Sequence, residues 1–270
     1  MIEGVFHNKT RTAKSIPKRL IAGRKYHYLP LYAVLRTSKL SNEGMNNSGS
    51  YHFADHIYNY KADGRYGIGI LVDWGVLRLP SATDFRHRYL HAKSTIRDIG
   101  SKKKSLRILV APAGLAREVF ELSDFLQKNG HKVDAIDLDR QLVNQQNSEA
   151  KKVGAAIRYH VGDALNGDHY PRSDYDLIIC MGLTEFLSDN LTRKVFQIFH
   201  SKLAESGLLY TTSTDIHKFS DKLLRNIADL HTNYRTQQEI HEILNESGFV
   251  VDSSHQTKHK LQTIVRAKKR

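Results

Sequence analysis

Residues 105–139 read SLRILVAPAGLAREVFELSDFLQKNGHKVDAIDLD, and this stretch decides the fold. An apolar run, Ile108–Ala111, stops at the small-residue turn Pro112-Ala113-Gly114. An amphipathic segment follows, then Gly130, then a second apolar run that ends in Asp137. The order is strand, tight turn, helix, strand, with a carboxylate 23 residues beyond the turn glycine. Small residues let backbone N–H groups and a helix N-terminus approach a ligand, and an acid at the second strand tip accepts hydrogen bonds from a pair of ribose hydroxyls. The pattern points to a nucleoside.

The alternation continues downstream. Strands are predicted at 107–111, 132–137, 157–160, 175–181, 207–213, 247–254 and 261–267, and helices at 115–129, 139–153, 190–205, 218–230 and 236–247. Strands alternating with helices indicate an α/β fold on a parallel sheet. The last two strands are joined by the short polar link Gln256–Lys260 and so form an antiparallel hairpin at the sheet edge. The expected architecture is a doubly wound, mostly parallel seven-stranded sheet with a reversed last strand, preceded by a helical N-terminal extension. The predicted organisation is a basic, partly disordered or lid arm over 1–50, a helical extension or lid over 51–104, and the nucleoside-binding domain over 105–270. Tyr28–Leu40 reads as a short helix and Asn42–Ser50 as a loop. In the helical pattern that follows, Ser81 or Thr83 can cap the last helix and Gly100 can end it.

Charge separates these regions. Residues 1–40 hold nine Lys/Arg against one acid, residues 41–105 hold ten against six, and the remainder contributes little to the net +13. The basic N-terminal part is either a solvated arm or a surface for nucleic acid or anionic lipid. An apolar fraction of 40% is enough for a packed core, and no apolar run approaches the ~20 residues needed to span a bilayer. The basic N-terminus has no long apolar core of a signal peptide, and one cysteine, Cys180, excludes an internal disulfide, so a reducing cytoplasm is expected. Without paired cysteines or an HExxH pattern, no metal is expected.

Doubly wound sheets bind ligands beyond the carboxyl ends of their strands. Four such tips should line one crevice: Ala111–Ala116, Asp137-Leu138-Asp139, Val161-Gly162-Asp163-Ala164 and Cys180-Met181-Gly182-Leu183. With all four in order, residues 106–268 resemble the class I S-adenosylmethionine-dependent methyltransferases. The resemblance implies S-adenosyl-L-methionine as cofactor. It implies that the first tip, Ala111, Pro112, Ala113 and Gly114, wraps the methionine part, that Asp137 holds the ribose, and that Asp163 holds the adenine amino group. Leu138, Gly162 and Ala164 would flank the adenine, and Met181 and Gly182 would lie at the thioether end. The closing segments YRTQQEIHEILNESGFVVDSS and LQTIVRAKK fit that superfamily's last helix and hairpin. GRYGIGILVDWGVLRLP, FRHRYLHAK, RILVAPAGLARE, MGLTEFLSDN, LLYTTSTDIH and ESGFVVD also resemble an uncharacterised methyltransferase family sometimes fused to an α/β-hydrolase domain, over about 64–268.

The chain departs from the superfamily at its first motif. An acid normally stands at the position of Val110, and glycine commonly stands at Ala116, where alanine restricts φ. Arg117, in the first turn of the following helix, is either a partner for the cofactor carboxylate or a surface residue. Each other pick has an ordinary reading beside it: Asp137 as a capping carboxylate, Asp139 as the helix cap, Asp163 as a turn former and Met181 as core. Methyl transfer mainly requires alignment, and a base is needed only for a protonated acceptor. The candidates are Glu185, otherwise solvated on a helix surface, and His217, otherwise an ordinary loop histidine. Tyr58, Tyr66 and Trp74 belong to an aromatic cluster that forms either a lid or simple packing. Arg88 is either an anion clamp or the partner of Asp84 four residues away. The expected function is methyl transfer to a small-molecule or lipid-like acceptor. The alternatives are a cyclase or lyase that releases methylthioadenosine, and an RNA methyltransferase gripping phosphates with the basic region. The sequence does not define an oligomeric state.

Overall fold

The strand Tyr175–Cys180, YDLIIC, is buried at every position. A strand tolerates this only when both faces of its sheet are covered. Its side chains alternate between two cores: Ile178 and Cys180 pack with Phe196, Phe199 and Phe249, while Leu177 and Ile179 pack with Val119, Leu126 and Val143. The computed structural model, which describes residues 15–47, 49–65 and 67–270, shows the sheet around this strand. Its strands are β1 (Arg107–Val110), β2 (Lys132–Asp137), β3 (Ile157–Val161), β4 (Tyr175–Cys180), β5 (Leu203–Thr214), β6 (Phe249–Gln256) and β7 (Gln262–Lys269). The order is β3-β2-β1-β4-β5-β7-β6. β1 to β5 are parallel, and β7 runs antiparallel to both β5 and β6. This is the doubly wound sheet with a reversed last strand that the sequence pattern predicts. The order reverses between β1 and β4, so the crevice of the fold opens beyond their carboxyl ends.

The chain divides into two compact units: one of residues 1–86 with Ile216–Thr232, the other of His87–Asp215 with Asn233–Arg270. The second holds the whole sheet. In the first, the described residues before the sheet form the helices α1 (Ile16–Ala22), α2 (Tyr28–Leu35), α3 (Lys39–Asn46), α4 (Tyr51–Asn59) and α5 (Ile68–Leu77). They enclose two apolar clusters, one around Leu20, Leu35 and Ile227 and one around Leu40, Ile57 and Leu77. A buried carboxylate ties them: Asp73 accepts from Ser38 Oγ at 2.5 Å, from the Asp63 N–H at 3.1 Å and from the Leu40 N–H at 3.3 Å. Next comes α6 (Pro80–Lys102), in which the boundary between the units falls. No described helix is long and apolar enough to cross a membrane.

Several element boundaries differ from the sequence reading, each for a local reason. The loop predicted at Asn42–Ser50 is largely helix α3, because Ser38 caps it by accepting from the Ser41 N–H. Helix α6 begins at Pro80, whose fixed φ suits a first turn, rather than being capped by Ser81 or Thr83. Gly100 does not end it: the helix passes through, and a Cβ there would meet His131 Nε2 at 2.8 Å. That glycine permits close packing. The single helix predicted at 115–129 is two, α7 (Arg117–Phe120) and α8 (Ser123–Lys128), broken at buried Leu122. After α9 (Arg140–Lys152) and α10 (Asp189–Lys202), the helix predicted at 218–230 is α11 (Lys218–Leu223) followed by a wider π turn, Leu224–Ala228, that ends at left-handed Asp229. The capping box of Thr236 and Glu239 then starts α12 (Gln237–Glu246).

Candidate active site

Three of the four strand tips are joined by direct hydrogen bonds. The Gly114 N–H donates to Asp137 Oδ2 at 2.8 Å, and the Gly162 N–H donates to the Asp137 carbonyl at 2.9 Å. The Ala113 N–H donates to the Ile136 carbonyl at 2.8 Å, fixing the first turn to β2. Asp137 Oδ1 accepts from the Asp139 N–H at 3.0 Å. Burial raises the Asp137 pKa above the usual carboxylate value, against the pull of these backbone donors. A carboxylate has about four acceptor sites, so two N–H donors leave Asp137 capacity for more. Beside it Leu138 is 51% exposed, a large apolar side chain offered at the mouth of the crevice.

The first turn keeps the shape its sequence puts in doubt. Gly114 has φ +52° and Ala116 φ +42°, so alanine here holds the left-handed conformation for which glycine is the ordinary choice. Ala111 is buried, and its N–H donates to the Ile179 carbonyl. Arg117 pairs with Glu121 one turn on at 3.5 Å. Glu118, which the sequence reading left without a role, is fully buried, and burial raises its pKa to about 7.

Asp139 is the N-cap of α9, accepting from the N–H groups of Gln141 and Leu142. At the third tip Asp163 Oδ1 accepts from the Leu165 N–H at 2.8 Å, while the Asp163 N–H donates to His169 Nδ1 at 2.9 Å. The turn-forming role of Asp163 is therefore present in the structure, using one of its two oxygens. Gly162 has no room for a side chain, since a Cβ would meet His169 Cβ at 2.9 Å and Ile136 at 3.0 Å. Ala164 is buried in the core behind it.

The fourth tip is organised by a pair that sequence distance concealed. Arg88 Nη1 donates to Glu185 Oε1 at 2.5 Å, with the two side chains only 2% and 6% exposed. Thr214 Oγ1 donates to the same oxygen at 3.0 Å, Gln262 Nε2 donates to Thr214 Oγ1 at 2.8 Å, and Arg88 Nη1 also reaches Gln262 Oε1 at 3.3 Å. The tip itself is close: Gly182 has φ +74°, and a Cβ there would lie 3.3 Å from Arg88 Nη2. Met181 is half-buried against the core face that holds Leu177 and Ile179. Arg235, which the sequence reading passed over, holds the loop after the tip by donating to the carbonyls of Thr184 at 2.5 Å and Leu187 at 2.6 Å.

Two expectations change at this point. Glu185 is not solvated on a helix surface: it is buried in an ion pair. Arg88 is not on a helix surface: it is buried and donates to Glu185, 97 residues away.

His217, Tyr58 and Trp74 belong to the first unit. His217 caps α11: its Nδ1 accepts from the Ser220 N–H at 3.2 Å and lies 2.9 Å from Ser220 Oγ. Tyr58 stacks on Phe85 at 5.4 Å, and Trp74 meets the edge of Tyr60 at 5.4 Å with Arg78 over its ring. Tyr66 lies outside the described residues. No group of three or more His, Cys, Asp or Glu side chains suited to a metal ion occurs among the described residues.

Comparison with known proteins places this geometry in a class. Residues 113–207 match the family model described as a methyltransferase domain. No curated protein matches the chain. Among solved structures, a possible exported protein from Bordetella parapertussis superposes with a TM-score of 0.80 at 18% identity, over 96% of this chain and 94% of that one. Magnesium protoporphyrin IX methyltransferase from Synechocystis, with S-adenosylhomocysteine bound, superposes with a TM-score of 0.57 at 14% identity, over 84% of this chain and 97% of that one. The same enzyme with S-adenosylmethionine bound gives 0.55 at 16% identity, over 84% and 94%. The sheet is that of the S-adenosylmethionine-dependent methyltransferases. Residues 113–207 match a methyltransferase domain, and S-adenosylmethionine is the cofactor bound in the second Synechocystis structure.

Proposed function

We propose that this protein transfers the methyl group of S-adenosylmethionine to a small-molecule or lipid-like acceptor, with the cofactor in the crevice beyond β1, β2, β3 and β4. The observation that carries the reading is Asp137: a carboxylate half-buried at the second tip, pinned by the Gly114 and Asp139 N–H groups, and left with acceptor capacity. Under this reading Asp137 takes the ribose hydroxyls, Leu138 lies against the adenine, and Asp163 meets its amino group with the oxygen not used by Leu165. The backbone of Ala111–Gly114 and of Gly182 borders the methionine end, where left-handed Gly182 leaves the space a side chain would fill. At the departure Ala116 the backbone still turns left-handed.

When bound, the cofactor supplies a methyl group on a sulfonium sulfur. The chain's contribution is alignment and exclusion of water. Both predicted bases already have partners. Glu185 would have to give up the Arg88 guanidinium. His217 Nδ1 is engaged in capping α11, which puts the proton of the neutral ring on Nε2. We therefore assign Glu185 to positioning Arg88 beside Gly182. We assign an acceptor atom that is already deprotonated at neutral pH, such as a carboxylate. A small-molecule acceptor is in keeping with the neighbour named for magnesium protoporphyrin IX. The narrower likeness to the hydrolase-fused family over about 64–268 belongs to this reading, as does a cytoplasmic setting, which the single buried cysteine suits.

Titration calorimetry with S-adenosylhomocysteine tests the site. Asp137→Ala removes an ionised acceptor for two hydroxyls, each hydrogen bond worth about 1.5–3 kcal/mol, so affinity should fall on the order of 100-fold or more. Unchanged affinity would remove the ribose assignment. Chromatography of spent cofactor separates the reactions. S-adenosylhomocysteine marks methyl transfer, whereas methylthioadenosine formed without an acceptor would mark cyclase or lyase chemistry.

A further inference from the structure

The first two helices present more apolar and cationic surface than their place in a core explains. They are joined by Gly23–His27, and every residue from Ile21 to His27 is exposed. Ile21 is 48%, Tyr26 56% and Val34 48% exposed. Tyr26, Pro30, Ala33 and Val34 recur at spacings of four, three and one, so they share one side of α2 and its lead-in. Leu35, on the opposite side, packs with Ile16, Leu20, Met45 and Ile227. Helix α5 packs against α2 and buries Gly69, Asp73 and Leu77 while exposing Ile68 at 61% and Leu71 at 71%. Lys18, Arg24 and Arg36 are exposed along the same hairpin, and from Gly4 to Asn42 the sequence contains no Asp or Glu.

We infer that the α1–α2 hairpin, with the first turns of α5, is a docking surface for an anionic phospholipid bilayer. An apolar stripe bordered by cations, with a tyrosine at its edge, fits the headgroup boundary: aliphatic side chains reach the acyl region while Lys and Arg meet lipid phosphates. The charge selects this occupant. A second copy of the chain would bring the same cations against this face, and like charges repel. Single-stranded nucleic acid would stack its bases on aromatic rings, whereas the exposed apolar side chains here are mostly Ile, Leu and Val. The inference stands independently of the methyl-transfer reading.

Flotation of the full chain tests it, using vesicles of phosphatidylcholine alone and of phosphatidylcholine with phosphatidylserine. The chain should float with the anionic vesicles and stay behind with the neutral ones. Each cation near such a surface is worth about fivefold in partitioning, so replacing Lys18, Arg24 and Arg36 together by Gln should lower it on the order of 100-fold. Val34→Ser with Leu71→Ser should also lower it, and circular dichroism should show both variants folded, since every changed side chain is exposed. Failure to float with anionic vesicles would overturn the inference. So would binding that neither variant weakens, or capture by single-stranded RNA that anionic vesicles cannot displace.

Discussion

The buried pair Arg88–Glu185 makes a demanding prediction. Glu185→Ala removes the carboxylate that receives Arg88 at 2.5 Å and Thr214 at 3.0 Å, where both charged side chains are almost wholly enclosed. The guanidinium then loses Glu185 as its ion-pair partner in the interior. Breaking a buried pair from one side costs about 3–5 kcal/mol. Gln262 still offers Arg88 an oxygen at 3.3 Å, which places this case near the low end, at about 3 kcal/mol. At roughly 2–4 °C per kcal/mol for a domain of this size, the melting temperature should drop by roughly 6–12 °C. Removing both members of the pair, as in Arg88→Met with Glu185→Leu, should recover most of the loss. The assay is urea unfolding followed by far-ultraviolet circular dichroism, because the one tryptophan, Trp74, belongs to the other compact unit. A loss below about 1 kcal/mol for Glu185→Ala, or a double variant no more stable than the single, would show that the pair is not desolvated as argued.

Other perturbations follow from the same geometry. Glu118 holds its proton to about pH 7 when folded, against 4.5 for the ordinary group, because it is buried. Its stabilising contribution is full below the unfolded value and drains as pH rises through about 7. Glu118→Gln should therefore match the parent in acid and exceed it by about 3 kcal/mol above pH 7, read from urea midpoints; equal stability at both pH values would contradict the buried assignment. Asp73→Ala strands the Ser38 hydroxyl and two N–H groups, and should cost about 3 kcal/mol by the fluorescence of adjacent Trp74; a neutral effect would mean that water serves those donors. Gly182→Ala forces a side chain into φ +74° and against Arg88. It should cost about 1–2 kcal/mol and weaken S-adenosylhomocysteine binding, and full affinity in calorimetry would place the cofactor away from the fourth tip.

What could be read from the sequence was what repeats locally. The period-two and helical patterns after Ser105 set the strands, their number and the reversed β7, and the acid 23 residues beyond Gly114 was visible because a βαβ unit has a set length. Boundaries slipped where a tertiary contact outweighs propensity: Gly100 stays within its helix, packed against His131. The partners of Arg88 were not legible, since a helix-surface reading offers it Asp84 whereas the fold brings it Glu185 and Gln262. Glu118 was passed over because a charged residue in a first turn ordinarily faces water, and only the packed structure shows that it does not. Nor does a linear pattern reveal that Ile216–Thr232 joins the N-terminal helices, where Arg19 Nη2 donates to the Asn226 carbonyl across 207 residues of chain.

The central claim is that the second strand tip holds a nucleoside. A crystal structure of the chain with S-adenosylhomocysteine examines it most directly. The account predicts both ribose hydroxyls on the Asp137 carboxylate, with the adenine against Leu138 and its amino group toward Asp163. A nucleoside bound elsewhere on the sheet, or one that leaves Asp137 with only its Gly114 and Asp139 partners, would contradict it.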